Sequence, residues 1–305
     1  MNTTIAVLGA TGVFGRHLTP RLVAAGHQVR ALVRRTEAAG LARGCGAEIG
    51  VADIFDIDVL VAALQGCEMV INLATSLPGP SGRGDFAAND RLRRDGTPIL
   101  VEACKRAGVQ RLLQQSIAMV RGAGDTLVDE DTPPTPAASL TSSPRSHPAS
   151  NPASNPVAEA ANDAALALEA CVRGSGLDWV IVRGGLFYGP GTGFDDDWFA
   201  RAVAGKLRVP GDGDDFVSLV HIADMAAATL AVVEAWPARQ VLIIADDMPA
   251  RWRDVFAYVA AVAGAPAPMS GGRPGFASFR VSNRKARALL GWTPLYRDFR
   301  AGLAR

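Results

Sequence analysis

The chain has 305 residues, a formal net charge of +1 and 49% hydrophobic residues, length enough for one large core or for a large domain with a smaller one. A charge so near zero gives no electrostatic reason for a nucleic acid or a membrane surface as partner, and no apolar run is long enough to span a bilayer. Cys45, Cys67, Cys104 and Cys171 lack the paired spacing of a zinc or redox motif, so no metal and four reduced, buried thiols are expected in a cytoplasmic protein without a leader segment.

In chain order, residues 5–8 read as a short apolar strand running into Gly9-Ala10-Thr11-Gly12-Val13-Phe14-Gly15. Three glycines at three-residue spacing, between a strand and a helix that ends at Gly26, suit a dinucleotide. Gly9 permits the tight turn, Gly12 lets the main chain approach a pyrophosphate, and Gly15 lets helix and strand pack closely. The helix start offers free N–H groups and a positive dipole end to the phosphates. Gly9, Thr11, Gly12, Val13, Phe14 and Gly15 are therefore assigned to the cofactor.

The second strand, 28–33, ends in Arg34-Arg35, where an acidic residue would bond the ribose 2′-OH of NAD and an arginine suits the 2′-phosphate of NADP. NADP is the expected cofactor, with NAD as the alternative. A third strand at 48–51 leads to Asp53 and Ile54, the aspartate placed to bond the adenine amino group. A fourth at 69–74 is almost wholly apolar, as a strand covered on both faces must be, and ends at Leu73-Ala74-Thr75 beside the ligand crevice. One helix over 86–107 and a fifth strand at 111–115 follow. This alternation predicts an α/β, Rossmann-like, doubly wound parallel sheet.

Residues 132–156 are Pro, Ser, Thr and Ala almost throughout and predict a mobile surface loop or lid. A helix at 157–173 and a sixth strand at 179–183 complete the dinucleotide-binding domain, 1–183. The remainder, 184–305, reads as a smaller substrate lobe interleaved with the last strands of the sheet. It holds a glycine-rich turn at 184–191, an acidic turn at 195–197, helices near 222, 253–263 and 283–290, and a strand at 240–245.

By its motifs the chain resembles the extended and atypical short-chain dehydrogenase/reductases, the NAD-dependent epimerase/dehydratases. The likeness rests on the glycine loop, Ala52-Asp53 with Asp56, Asn72-Leu73-Ala74, Asp95-Gly96-Thr97, Gln114-Gln115-Ser116, Arg183 with Tyr188-Gly189-Pro190, Val220-His221-Ile222-Ala223-Asp224, and Leu290-Gly291-Trp292-x-Pro294. It implies a small-molecule substrate and leaves a homodimer open. Members of the family that reduce or epimerise use Ser, Tyr and Lys. Setting Val120-x-Gly122 against the family's Val-Tyr-Gly puts the serine seat at Ile117, beside Ser116. Matching Leu168-Glu169 to the family's Ala-Glu puts the Tyr-x-x-x-Lys pair on Ala161 and Ala165. No register restores the pair, because the chain has no tyrosine before Tyr188 and no lysine between Lys105 and Lys206. The family's Asn before x-x-Gly-Thr is replaced by Arg93. The chain also resembles a bacterial subgroup with the Gln-Gln-Ser strand end and no Tyr-Lys pair.

Losing a positioned general acid costs about 10²- to 10⁴-fold in rate, so ordinary alcohol dehydrogenation is expected to be poor. The expectation is hydride transfer to a small apolar carbonyl or conjugated acceptor with a noncanonical proton source. A non-catalytic NADP-binding sensor or scaffold and a redox-neutral isomerase or cyclase are the alternatives. Candidate groups for the chemistry are Tyr188, Gln115 and Ser116. His221 reads as a structural histidine, His147 would act only from the closed loop, and Phe187, Trp198 and Phe216 line a pocket or the core.

Overall fold

A computed structural model describes residues 3–80, 84–121, 124–133, 156–273 and 277–304. The six apolar segments form β1 (Thr4–Leu8), β2 (Gln28–Val33), β3 (Glu48–Val51), β4 (Met69–Asn72), β5 (Arg111–Ile117) and β6 (Asp178–Gly184). Between them lie α1 (Val13–Ala24), α2 (Gly40–Gly44), α3 (Ile57–Leu64), α4 (Phe86–Arg91), α5 (Thr97–Ala107) and α6 (Pro156–Arg173). The later part adds β7 (Leu186–Tyr188), α7 (Phe194–Val203), β8 (Arg208–Pro210), β9 (Phe216–Val217), β10 (Leu219–His221), α8 (Ile222–Ala235) and β11 (Gln240–Ile244). It ends with β12 (Ala250–Arg251), α9 (Trp252–Val262), β13 (Met269–Gly272), α10 (Arg284–Leu290) and α11 (Phe299–Leu303).

The main sheet has seven strands in the order β11-β6-β5-β4-β1-β2-β3, every pair parallel. Strand order reverses between β1 and β4, and a doubly wound sheet opens its ligand crevice beyond the carboxyl ends at such a point. Alternation along β1 explains the double covering. Ile5 and Val7 pack with Phe14, Leu18 and Leu22 of α1 and Met225 and Val232 of α8. Ala6 and Leu8 pack with Leu60 and Leu64 of α3 and Leu100 and Cys104 of α5.

The segment 86–107 is not one helix. A π-helical turn, Leu92–Gly96, separates α4 from α5. Pro98 in the first turn of α5 has no N–H to return to the carbonyl four residues back, and its ring crowds that carbonyl, so the wider turn relieves a conflict that a continuous α-helix would carry. Strand β4 stops at Asn72, two residues short of the expected end, because the Asn72 side chain turns forward and accepts the Ala74 N–H at 3.1 Å. Strand β5 runs on to Ile117.

The later elements carry a core of their own, in which Trp198 and Phe199 of α7 meet Trp252 and Phe256 of α9. The Trp198 ring lies 5.6 Å from Phe256, so Trp198 belongs to packing. Phe216 is covered by the Arg251 and Arg280 guanidinium groups, 4.5 and 5.0 Å from its ring. This core joins the sheet through β11. It joins α1 through an edge-on contact of Phe187 with Phe14 at 5.7 Å and through His17 Nε2, 2.8 Å from the Pro190 carbonyl.

All four cysteines are free thiols; Cys67 and Cys104 are buried as expected, whereas Cys45 and Cys171 are only partly covered, each near the carboxyl end of a surface helix. Among the described residues, no helix is long and apolar enough to cross a membrane. Of the loop expected at 132–156, residues 134–155, with His147, lie outside the described residues.

Candidate active site

The glycine loop sits where β1 meets α1. Gly9 has φ +78°, and a Cβ there would stand 2.7 Å from the Leu73 carbonyl carbon and 2.9 Å from the Ala74 nitrogen. A Cβ on Gly15 would strike the backbone of Gly9 and Ala10. Side chains at either place would wedge the loop away from the β4 exit. Gly12 is the N-cap of α1, without a side-chain cap and without an acidic residue in the first turn, so the positive end of the helix is open to an anion. Thr11 is half-buried and Val13 is exposed at this helix start, while the Phe14 side chain is buried against Phe187 and can offer a ligand only its backbone.

At the end of β2, Arg34 and Arg35 are exposed and, with Thr36, Glu37, Ala38 and Val51, line an open cavity of about 620 Å³. Asp53 is exposed, and its Oδ1 accepts the Phe55 N–H at 3.0 Å. Ile54 is buried beneath Gly96, where it would touch any Cβ at 3.2 Å. Leu73 is buried, Ala74 is half-buried and Thr75 is exposed at the crevice rim. The donor set, with an open helix terminus, glycines that clear the approach and two exposed guanidinium groups, fits a dinucleotide phosphate chain.

Between the strand ends runs a chain of buried amides. Gln114 Nε2 donates to the Gln115 carbonyl at 2.7 Å, Asn72 Nδ2 donates to Gln114 Oε1 at 2.9 Å, and Asn72 Oδ1 takes the Ala74 N–H. This lattice ties the exits of β4 and β5 together and fixes the floor of the crevice. It makes sense of polar residues at the ends of apolar strands, which the sequence showed without disclosing their partners.

The next polar group lies between β5, β6 and α6. Glu169, 2% exposed, accepts Ser116 Oγ at 2.8 Å and Arg183 Nε at 2.7 Å through Oε1. Its Oε2 accepts Arg183 NH2 at 2.5 Å and the half-exposed Arg173 at 3.4 Å. Burial alone would raise the Glu169 carboxyl, but the hydrogen bonds and charge of Arg183 prevail and hold it below the ordinary carboxylate value. The Ser116 hydroxyl thus donates its hydrogen bond to Glu169. Gln115 is 9% exposed, and its Oε1 has no hydrogen-bond partner among the described residues. Ala161 and Ala165, the seats to which the family likeness assigns tyrosine and lysine, are buried, with 6% and 0% exposure.

Tyr188 points into the later core. It is fully buried, its hydroxyl is 3.4 Å from the Asp298 carbonyl, and Gly302 leaves room for the phenol. Burial, reinforced by Asp246, Asp224 and Asp298, pushes its pKa far up, which disables it as a base. His221 lies edge-on to Tyr188 and over Tyr296, and its Nδ1 accepts the Ala223 N–H as the N-cap of α8. Asp224 accepts the Leu295 and Tyr296 N–H groups at 2.9 and 2.8 Å, so this motif anchors the carboxyl-terminal segment. Asp195 accepts the Gly189 N–H and the Thr192 hydroxyl, both at 3.2 Å, and serves its own turn.

Residues 9–235 match the family described as NAD(P)H-binding. The chain is 33% identical to a 3-diazoavenalumate denitrifying reductase of a Streptomyces species over 99% of both chains. It is 28% identical to a 4-hydroxy-2-methyl-3-oxo-4-farnesyl-3,4-dihydroquinoline-1-oxide ketoreductase of Stigmatella aurantiaca, over 81% of this chain and 69% of that one. Among solved structures, MoeE5 with UDP-glucuronic acid and NAD aligns with a TM-score of 0.74 at 25% identity, covering 98% of this chain and 96% of that one. A UDP-glucuronic acid 4-epimerase of Bacillus cereus shares the fold with a TM-score of 0.78 at 22% identity over 98% and 96% of the two chains. With glycine loop, sheet order and strand-end motifs all in place, the chain belongs to the NAD(P)H-binding family, and its structural neighbours lie in the short-chain dehydrogenase/reductase group of NAD-dependent epimerases and dehydratases.

Proposed function

We propose that the protein is an NADP-dependent reductase of small aromatic acids whose acceptor needs no proton from the protein, a diazo or diazonium compound being the class that fits best. The observation that carries this reading is the makeup of the crevice beyond the nucleotide. Its two relay seats are buried alanines, the Ser116 hydroxyl is spent on Glu169, and the Tyr188 phenol is enclosed in a separate core. Reducing a carbonyl to an alcohol needs a proton as well as a hydride, and among the described residues no side chain of this wall is placed to supply it. When bound, the reduced nicotinamide supplies one hydride; an aryl diazonium plus hydride balances as arene plus dinitrogen, leaving oxidised cofactor and no proton to find. The Streptomyces relative, named for denitrifying a diazo acid and aligned over its whole length, supports that choice.

In this reading the backbone of Gly9, Gly12 and Gly15 and the first turn of α1 hold the pyrophosphate, and Arg34 and Arg35 take the 2′-phosphate of NADP. Asp53 and Ile54 border the adenine, and Leu73, Ala74 and Thr75 border the nicotinamide half. Gln115, with its free Oε1, orients the reacting partner; Ser116 and Tyr188 act through packing. The work of the chain is positioning and exclusion of water rather than proton transfer. A small-molecule substrate and a cytoplasmic setting complete the proposal.

The test is incubation with C4-deuterated NADPH and 4-carboxybenzenediazonium, reading absorbance at the reduced nicotinamide band and the arene by mass spectrometry. Expected is cofactor consumption well above the enzyme-free rate, with deuterium in the arene. A sample that binds NADPH yet consumes none would return the protein to the sensor or scaffold alternative. Conversion of a substrate without change of oxidation state would return it to the isomerase alternative.

A further inference from the structure

Arg93 is the least expected group in this wall. It belongs to the π-helical turn Leu92–Gly96, is 4% exposed, and donates from NH1 to the main-chain oxygen of Ala161 at 2.9 Å, its one hydrogen bond among the described residues. The acidic groups that act on its charge are Asp90 and Glu169. Glu169 already receives Ser116, Arg183 and Arg173, and no carboxylate of the described residues forms an ion pair with Arg93. Burial lowers the Arg93 pKa to about 10, which leaves it charged at neutral pH. Asp90 and Glu169 offset its charge from a distance, but the N–H groups of the guanidinium other than the one on Ala161 have no hydrogen-bond partner among the described residues, and a buried cation so placed gains from a directly bonded anion.

A second group shows where that partner enters. Asn89 stands one turn before Arg93, and residues four apart share a helix face. It is fully buried; its Oδ1 accepts the Ser76 N–H at 3.2 Å, at the exit of β4, while its Nδ2 has no partner among the described residues. The face therefore carries unused donors from the rim of the crevice toward α6. On the α6 side the Ala161 main-chain oxygen takes the one Arg93 bond, and the Ala161 and Ala165 side chains are buried methyl groups.

We propose that Arg93, with the Asn89 amide beside it, is the site for the anionic group of the substrate, the carboxylate of an aromatic acid. A guanidinium presents paired N–H groups in the geometry that a carboxylate accepts, which a lysine does not. The choice of an aromatic carboxylate rests on the reductase reading above; the anion site itself rests on Arg93 and Asn89.

The test is calorimetric titration of the protein saturated with NADP⁺, using 4-hydroxycinnamate and its methyl ester as probes, on the wild type, Arg93→Gln and Arg93→Lys. The wild type is expected to bind the acid at least about tenfold more tightly than the ester, the scale of one charged hydrogen bond. Arg93→Gln should erase that preference with NADP⁺ affinity unchanged, and Arg93→Lys should keep only part of it. Equal binding of acid and ester by the wild type, binding of neither, or full preference in a substituted protein overturns the proposal. If Arg93→Gln does not fold, Arg93→Lys decides alone. Failure of the diazonium assay with acid-over-ester binding intact would sink the reductase reading and spare this one.

Discussion

The two ends of the crevice follow different rules. At the β1–α1 end, the features that match the family are made of backbone: a positive φ at Gly9, the absence of a Cβ at Gly15, an uncapped helix start. At the β5–α6 end they are made of side chains, and there Ala161, Ala165 and Arg93 depart from the family pattern while the Glu169–Arg183 pair is buried beneath. Holding a pyrophosphate requires one backbone shape, and few residues permit it. Handling a proton requires a particular side chain only when the reaction moves a proton. On the reading proposed above, the backbone cradle of the cofactor is kept while a fixed charge stands where the family likeness sets acid–base side chains.

The strongest way to break this comparison is at the buried pair. Glu169→Gln leaves Arg183 enclosed without a counter-charge and should destabilise the protein by about 3–5 kcal/mol, measured by denaturant unfolding. The pH dependence has a definite sign. The folded-state pKa of Glu169 lies below its ordinary 4.5, so its contribution is whole above about pH 4.5 and is lost as pH falls through the lower folded value. The gap between wild type and Glu169→Gln should therefore narrow only in acid; a gap that widens in acid would refute the assignment.

Gly15→Ala comes next. Its Cβ meets backbone rather than a movable side chain, so overpacking of about 1–3 kcal/mol is expected together with loss of measurable NADPH binding in calorimetry. Unimpaired binding would mean that the glycine loop is not the phosphate site. Arg34→Ala is milder and sharper: loss of a charged hydrogen bond should weaken NADPH by about tenfold and leave NADH unchanged. Equal loss for both nucleotides would end the NADP reading. Tyr188→Phe should be smallest, with turnover changed less than about twofold. A loss of about 10²-fold or more would restore Tyr188 as a proton donor, despite its burial.

Much of the fold was legible from residue order. Strands at 28–33 and 48–51 appear with the expected bounds, because turn residues delimit each of them, although β3 lies at the edge of the sheet with Glu48 and Val51 exposed. The Asn72 correction and the π-turn came from contacts that periodicity does not carry: an amide bending forward, and a proline that lacks one N–H. The short strands β7 to β10 also escaped, since two or three residues make no repeating pattern.

By itself the sequence determined the glycine loop, the arginines after β2, and the lack of a Tyr-Lys pair, since each is a matter of which residue types stand in order along the chain. Only the tertiary structure decided what the remaining polar residues do. Tyr188, last in a short strand, turns its phenol into a core built from α9 and α11, and Ser116 finds its partner 53 positions away. Arg93 meets the Ala161 carbonyl 68 positions on. Charge and hydrogen bonding act over a few ångströms of space, and which groups come that close is set by helix packing on the sheet rather than by separation along the chain.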